Sequence, residues 1–238
     1  MRAEIALMSG SAFAVTHHAF SSGAGRTSDG NGSHASTLKS PSYTKSVSWQ
    51  HYHEFDLNIK GWILNEPEYQ LGVMAGYQES RYSFNATGGT YIYSENGGFR
   101  NEMGSFPDGE RGIGYKQRFK MPYIGFIGSY RYDNFEFGGS FKYSGWVEAS
   151  DNDEHYARAI TFRSKVKNQN YYSITANAGY YVTPHAKVFV EVSWNRITNK
   201  KGDTAVYDKS TGASDYSKNI AGIENYNFMT TVGLKYTF

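Results

Sequence analysis

The chain has 238 residues, no Cys, 21 Tyr, 15 Phe, 26 Gly and 5 Pro, with a formal net charge of +2. A near-neutral chain without a basic cluster gives no footing for a nucleic-acid partner, and the lack of Cys excludes a disulfide framework or a thiolate metal site. No stretch approaches the ~18 consecutive apolar residues of a membrane helix, but a β-barrel crosses on alternate residues at low mean hydropathy, and abundant Tyr, Phe and Gly with few Pro suit one.

Residues 1–53 stand apart. They hold five of the seven His (His17, His18, His34, His51, His53) and eleven Ser, but only two Tyr. No alternation persists, so the segment reads as irregular by composition. Ala12-Phe13-Ala14 resembles a signal-peptide cleavage site behind too short an apolar run, and His17-His18 reads as an incidental pair.

From Glu54 onward the sequence predicts seven strands joined alternately by short turns and long loops. Glu54–Leu64 passes through Asn65-Glu66-Pro67 into Gln70–Phe84, and a polar loop over about Asn85–Gly114 follows. Lys116–Tyr132 turns at Asp133-Asn134 into Phe135–Ala149, and a second loop carries Asp151-Asn152-Asp153-Glu154-His155. A strand ending near Val182 turns at Thr183-Pro184-His185 into Ala186–Ile197. A third loop, about Thr198–Glu224, precedes Asn225–Phe238. Val188, Val190, Val192 and Trp194 alternate with polar residues, as do Tyr172, Ile174, Ala176, Ala178, Tyr180 and Val182. Phe228, Thr230, Val232, Leu234, Tyr236 and Phe238 form one face of the last strand. Tight turns at one end and long loops at the other are the rhythm of an outer-membrane barrel rather than a soluble sandwich.

The Asp-Asn-Asp-Glu-His run carries the chemistry. If the preceding strand continues through it, Asp151, Asp153 and His155 point to one side and Asn152 and Glu154 to the other. A carboxylate two residues from an imidazole on one face can fix its tautomer and hold it as a general base. The bland alternative is a solvated acidic loop. A metal site on Asp151, Asp153 and His155 is the weaker chemical alternative, with three ligands and no further His nearby in sequence.

Residues 54–238 resemble the omptins, the outer-membrane proteases of enterobacteria. The resemblance rests on Glu54-Phe55-Asp56-Leu57-Asn58-Ile59-Lys60-Gly61-Trp62, on Met74 to Phe84, on Ile113 to Gly125, on Tyr143 to Ser150 running into the Asp–His motif, and on Gly222 to Phe228. It implies an all-β, transmembrane antiparallel barrel, ten-stranded in the family with about seven strands recognisable here, and an active-site cleft at its extracellular rim. It implies an endopeptidase that cuts peptides at basic, often dibasic, sites with water as nucleophile. Asp153 and His155 match the family's dyad, and Asp151 matches a position in the pocket for a basic side chain. No cofactor is implied; lipopolysaccharide is the expected activator. By motif Tyr77, Glu79, Arg81, Arg118 and Lys167 fall on its binding positions, although Lys167 has the wrong parity relative to Tyr172 unless a bulge intervenes.

The departure from the family lies at the front. An omptin would carry three further strands and an Asp–Asp pair before the position of Glu54, whereas residues 1–53 contain one Asp, Asp29. Residues 1–53 are therefore expected to be a wrong-frame or rearranged reading of the gene's front portion. The chain by itself is then expected to cut peptides little or not at all. A non-enzymatic outer-membrane barrel, adhesin or passive channel, is the alternative.

Overall fold

The computed structural model describes residues 47–93, 96 and 99–236. The Ala12-Phe13-Ala14 run, the His17-His18 pair and Phe238 lie outside the described residues. Seven antiparallel strands form one sheet in chain order, each hydrogen-bonded to the next. They are β1 (Val47–Asn65), β2 (Tyr69–Tyr93), β3 (Glu102–Tyr132), β4 (Phe135–His155), β5 (Ile160–Thr183), β6 (Ala186–Asp208) and β7 (Ser214–Tyr236).

The count of strands and the turns at 66–68, 133–134 and 184–185 agree with expectation; the long loops do not. Asn85–Gly114 and Thr198–Glu224 are mostly strand, and the acidic motif is the last turn-ward stretch of β4 rather than a loop. β1 likewise begins at Val47, ahead of Glu54. The reason is that a ribbon exposed on both faces, as at 102–110, or one that buries only Gly202 and Thr204, as at 200–208, shows no apolar alternation, so its residues read as loop while its backbone groups still pair across the ladder. Pro107-Asp108-Gly109 is a turn signal that β3 absorbs as an irregularity. The β2–β3 register jumps from Thr87↔Arg111 to Gly89↔Phe106, and Gly109 takes φ 78°.

Three zones follow one another up the sheet. At the short-turn end Leu71, Val73, Ile124, Phe126, Ile174, Val188, Val190, Val232 and Leu234 all project outward and exposed. Tyr69, Tyr130, Tyr132, Tyr180 and Tyr236 flank this belt on the turn side. Inside it the lumen is polar: Tyr123 donates to Asp56 (2.7 Å), Lys142 pairs with the same carboxylate, and Glu136 takes both Lys187 (2.5 Å) and Tyr181 (2.7 Å). Apolar outside and polar within is the signature of a lipid-facing barrel wall. A membrane crossing takes about ten strand residues; β3 has 31, so most of it stands clear of the membrane.

Above the belt the sheet curls until its inner face meets itself. Tyr82, Phe119, Met121, Val147, Ala149, Val166, Tyr171, Ile197 and Ile223, from six strands, bury against one another. Tyr82 on β2 donates to Asn225 on β7 (3.3 Å), although these strands are not sheet neighbours. This apolar waist fills the interior and supports the third zone, the ribbons that carry the site.

Candidate active site

The orientation of the acidic motif is decided by a bulge. Low on β4 the odd residues Phe135, Phe137 and Phe141 face outward and Lys142 and Ser144 inward. Unbroken alternation would send Asp151, Asp153 and His155 outward too. Instead the ladder runs Ser144↔Tyr171 and then Val147↔Gln169, an extra residue on β4 at Gly145-Trp146. Trp146 stays outside, 57% exposed, while Val147 and Ala149 turn into the waist. A single inserted residue reverses every side chain beyond it, and it brings Asp151, Asp153 and His155 to the inner face. The compensating bulge sits on β5, between Gln169↔Val147 and Val166↔Ala149, with Asn168 at φ 56°.

On that inner face His155 Nε2 lies 3.1 Å from Asp153 Oδ2, with both side chains partly buried. An ionised carboxylate only accepts, so Nε2 carries the proton and Nδ1 is left with a free lone pair. The ring of Phe162 meets the imidazole edge-on at 5.3 Å between centroids and holds its plane. Asp153 Oδ1 is buried and has no hydrogen-bond partner among the described residues. Asp151 is held from both sides: Ser164 N–H donates to Oδ1 (2.8 Å) and Tyr115 Oη to Oδ2 (3.2 Å), and Gln117 Nε2 donates to Tyr115 (2.8 Å). Burial pushes the Asp151 carboxyl above its usual value, against the lowering pull of the Ser164 and Tyr115 hydrogen bonds. Three groups therefore share one strand face: an imidazole, the carboxylate that orients it, and a second carboxylate that a cation would favour in its charged form.

The outward residues of the same run fasten the rim. Glu154 accepts from Lys209 (2.5 Å), Thr161 (2.8 Å) and Asn152 (3.1 Å), and Arg163 donates to Asn152 (3.1 Å). Lys209 above all, with Thr161 and Asn152, lowers the Glu154 carboxyl to about 2. Lys209 N–H also donates to the Ala159 carbonyl (2.8 Å), so the β6–β7 tip is pinned to the β4–β5 tip.

The expected lipopolysaccharide positions lie on the outer wall just above the belt. Tyr77, Glu79 and Arg81 follow Leu71 and Val73 outward on β2, and Arg118 faces outward on β3. Glu79 takes Arg81 at 2.6 Å and Arg118 at 2.7 Å, bringing those three together. Lys167 is exposed on the outer side because the Asn168 bulge corrects its parity, but β4 separates its strand from Arg118. Sequence reasoning missed Tyr115, Gln117, Phe162 and Ser164. The first two were within reach, since Arg118 facing outward puts its odd-numbered neighbours inside.

The sheet and the inward carboxylate–imidazole couple define the class: a β-barrel wall of outer-membrane type that carries a paired carboxylate and imidazole on its inner face above the apolar belt. A model of the Omptin family matches residues 14–238, and the chain belongs to that family. It is 75% identical over 187 residues to Protease 7 of Escherichia coli O157:H7, covering 78% of this chain and 59% of that protein. Outer membrane protease IcsP of Shigella flexneri is 60% identical over 185 residues, again 78% of this chain and 59% of the relative. The Plasminogen activator of Yersinia pestis is 51% identical over 189, or 79% of this chain and 59% of the relative. The crystal structure of outer membrane protease OmpT from Escherichia coli superposes with a TM-score of 0.74 at 74% identity, over 79% of this chain and 64% of that one. The chain thus spans about six-tenths of the length of these curated relatives.

Proposed function

We propose that this chain is an outer-membrane endopeptidase segment of omptin type, facing the cell exterior, whose Asp153–His155 couple activates water against peptide bonds beside basic residues. The observation that carries the reading is the inward-facing couple with Asp151 two residues below it. In the proposed step His155 Nδ1 takes a proton from water as that water attacks the carbonyl carbon. Asp153 offsets the imidazolium charge, and no covalent intermediate is needed. Asp151 receives the Arg or Lys side chain through a charge-assisted contact. A passive channel fits less well, because the waist fills the interior with packed side chains.

Lipopolysaccharide is proposed as the activating partner. Arg81, Arg118 and Lys167 offer cations to lipid A phosphates at the top of the apolar belt, Glu79 holds the two arginines in place, and Tyr77 sits at headgroup depth. Residues 1–53 contain a single Asp, Asp29, and so no Asp pair, and the chain alone is expected to cut slowly.

A fluorogenic peptide with an Arg-Arg junction, assayed with lipopolysaccharide beside Protease 7, tests the reading. Expected are peptide binding by anisotropy, slow cleavage, and loss of that cleavage in Asp153→Asn and His155→Ala. Cleavage insensitive to both substitutions, or no binding at all, would refute it.

A further inference from the structure

Asp151 is the end of a hydrogen-bond chain that runs across the inner face of β3. The register sets Gln117 directly opposite Asp151 and Tyr115 directly opposite Asp153. Tyr115 Oη reaches Asp151 Oδ2, and Gln117 Nε2 reaches Tyr115 Oη. The direction of this chain is forced. An ionised carboxylate cannot donate, so the Tyr115 hydroxyl must give its proton to Asp151 and must take its own hydrogen bond from the Gln117 amide nitrogen. Gln117 is thereby fixed with its oxygen turned the other way. That oxygen is buried without a partner among the described residues, on a residue only 2% exposed. Asp153 Oδ1 is a second buried acceptor with no donor among the described residues, on the neighbouring strand.

A buried amide oxygen without a donor costs roughly 1–3 kcal/mol. It is found here beside the proposed pocket for a positively charged side chain. We propose that Tyr115 and Gln117 complete that pocket: Tyr115 as a positioning residue that aims the Asp151 carboxylate, and Gln117 Oε1 as a second, neutral acceptor, the pair selecting a guanidinium over an ammonium.

The preference follows from shape. Asp151 and Gln117 sit on adjacent strands, about 4.8 Å apart. A guanidinium offers five donors in a rigid planar fork and reaches both acceptors together, whereas an ammonium is a compact point charge that satisfies one well. The amide also adds acceptance without a third negative charge beside Asp151 and Asp153. The proposal rests on Asp151 being the basic-side-chain site.

The arrangement depends on the charge of Asp151. Protonated, Asp151 can donate to Tyr115, Tyr115 can donate to Gln117, and Gln117 then presents N–H to the pocket instead of oxygen. Arginine binding is therefore lost on acidification more steeply than charge alone requires. The titratable groups on this face are Tyr115 on β3 and Asp153 and His155 on β4; Ser164 is what β5 presents to Asp151.

The test measures binding of matched single-Arg and single-Lys peptides to the refolded 238-residue chain with lipopolysaccharide. Variants are Gln117→Leu, Gln117→Glu, Tyr115→Phe and Asp151→Asn, and folding is checked by near-UV circular dichroism. Expected for the parent is at least tenfold tighter binding of Arg than of Lys. Gln117→Leu weakens Arg about tenfold and Lys less than threefold. Gln117→Glu, which keeps an acceptor there, retains at least the parent's Arg affinity and keeps the inference testable should the leucine variant not fold. Tyr115→Phe flattens the pH dependence of Arg binding while keeping detectable binding at neutral pH. If Asp151→Asn abolishes binding while Gln117→Leu leaves the Arg-to-Lys ratio intact, this inference falls and the Asp151 reading stands. If Asp151→Asn leaves Arg binding unchanged, or the parent binds neither peptide, both fall.

Discussion

The waist and the rim lie two residues apart on β4, and the same alternation produces opposite interiors. Val147 and Ala149 are buried among aromatic and aliphatic side chains. Asp151, Asp153 and His155 continue the same face, yet each is only half-buried and held by named donors or partners. The waist is held by packing, which is non-directional; the rim is held by hydrogen bonds, which aim. A site on rigid strands over a packed plug can keep its groups oriented without burying them fully.

The comparison breaks most visibly at His155, the proposed base. His155→Ala is expected to lower cleavage of an Arg-Arg peptide by about 100-fold or more. Peptide affinity and the waist should be unchanged, read by anisotropy and by near-UV circular dichroism. Loss of affinity equal to the loss of rate would mean that His155 positions substrate rather than water.

Emptying the waist tests the support. Phe119 is fully buried and meets Tyr82 edge-on at 6.0 Å. Phe119→Ala is expected to cost about 3–5 kcal/mol, measured by urea unfolding in lipid or detergent, and to weaken peptide binding indirectly. Unchanged stability would show the waist to be a loose contact rather than a plug.

The pH response of Asp151 sharpens the contrast. Because burial raises its folded-state value, its contribution to stability is fully present below the usual carboxylate range and lost as pH rises through the raised value. A bound guanidinium reverses the sign, so arginine-peptide affinity should climb through that same window and Asp151→Asn should level it. A calorimetric titration that finds no proton release on binding contradicts this.

Smallest is the outer fastening. Glu154 is lowered to about 2, so its contribution is present above the usual carboxylate value and lost as pH falls through about 2. Lys209 is 55% exposed, and solvent screening holds the pair to below about 1 kcal/mol. Lys209→Met should speed hydrogen exchange at residues 156–159 and 209–213 and nowhere in the waist. Exchange unchanged at both tips would remove the fastening role.

Much of this fold was legible because turns and lipid-facing strands obey strong local rules. Asn65-Glu66-Pro67, Asp133-Asn134 and Thr183-Pro184-His185 marked the tight ends, and Val188 to Trp194 showed the outward face. The polar ribbons were not legible, since Glu102 to Glu110 is almost wholly exposed and Lys200 to Asp208 buries only a glycine and a hydroxyl, Gly202 and Thr204, so neither has an apolar stripe to announce a strand. The grouping of Asp151, Asp153 and His155 on one face was legible as a condition, that the strand continues. Which face was not. Gly145-Trp146 inverts the parity through a backbone insertion whose only trace is a glycine beside a large aromatic residue. Lys167 shows the same lesson on β5, where Asn168 in the left-handed region turns an apparent mismatch into an outward lysine.

The most direct measurement is ¹⁵N nuclear magnetic resonance of the His155 imidazole in the folded chain, with and without Asp153→Asn. The proton is expected on Nε2 with Nδ1 bare, and Asp153→Asn should release that preference. A proton on Nδ1, or a tautomer indifferent to residue 153, would contradict an imidazole held as base by its neighbouring carboxylate.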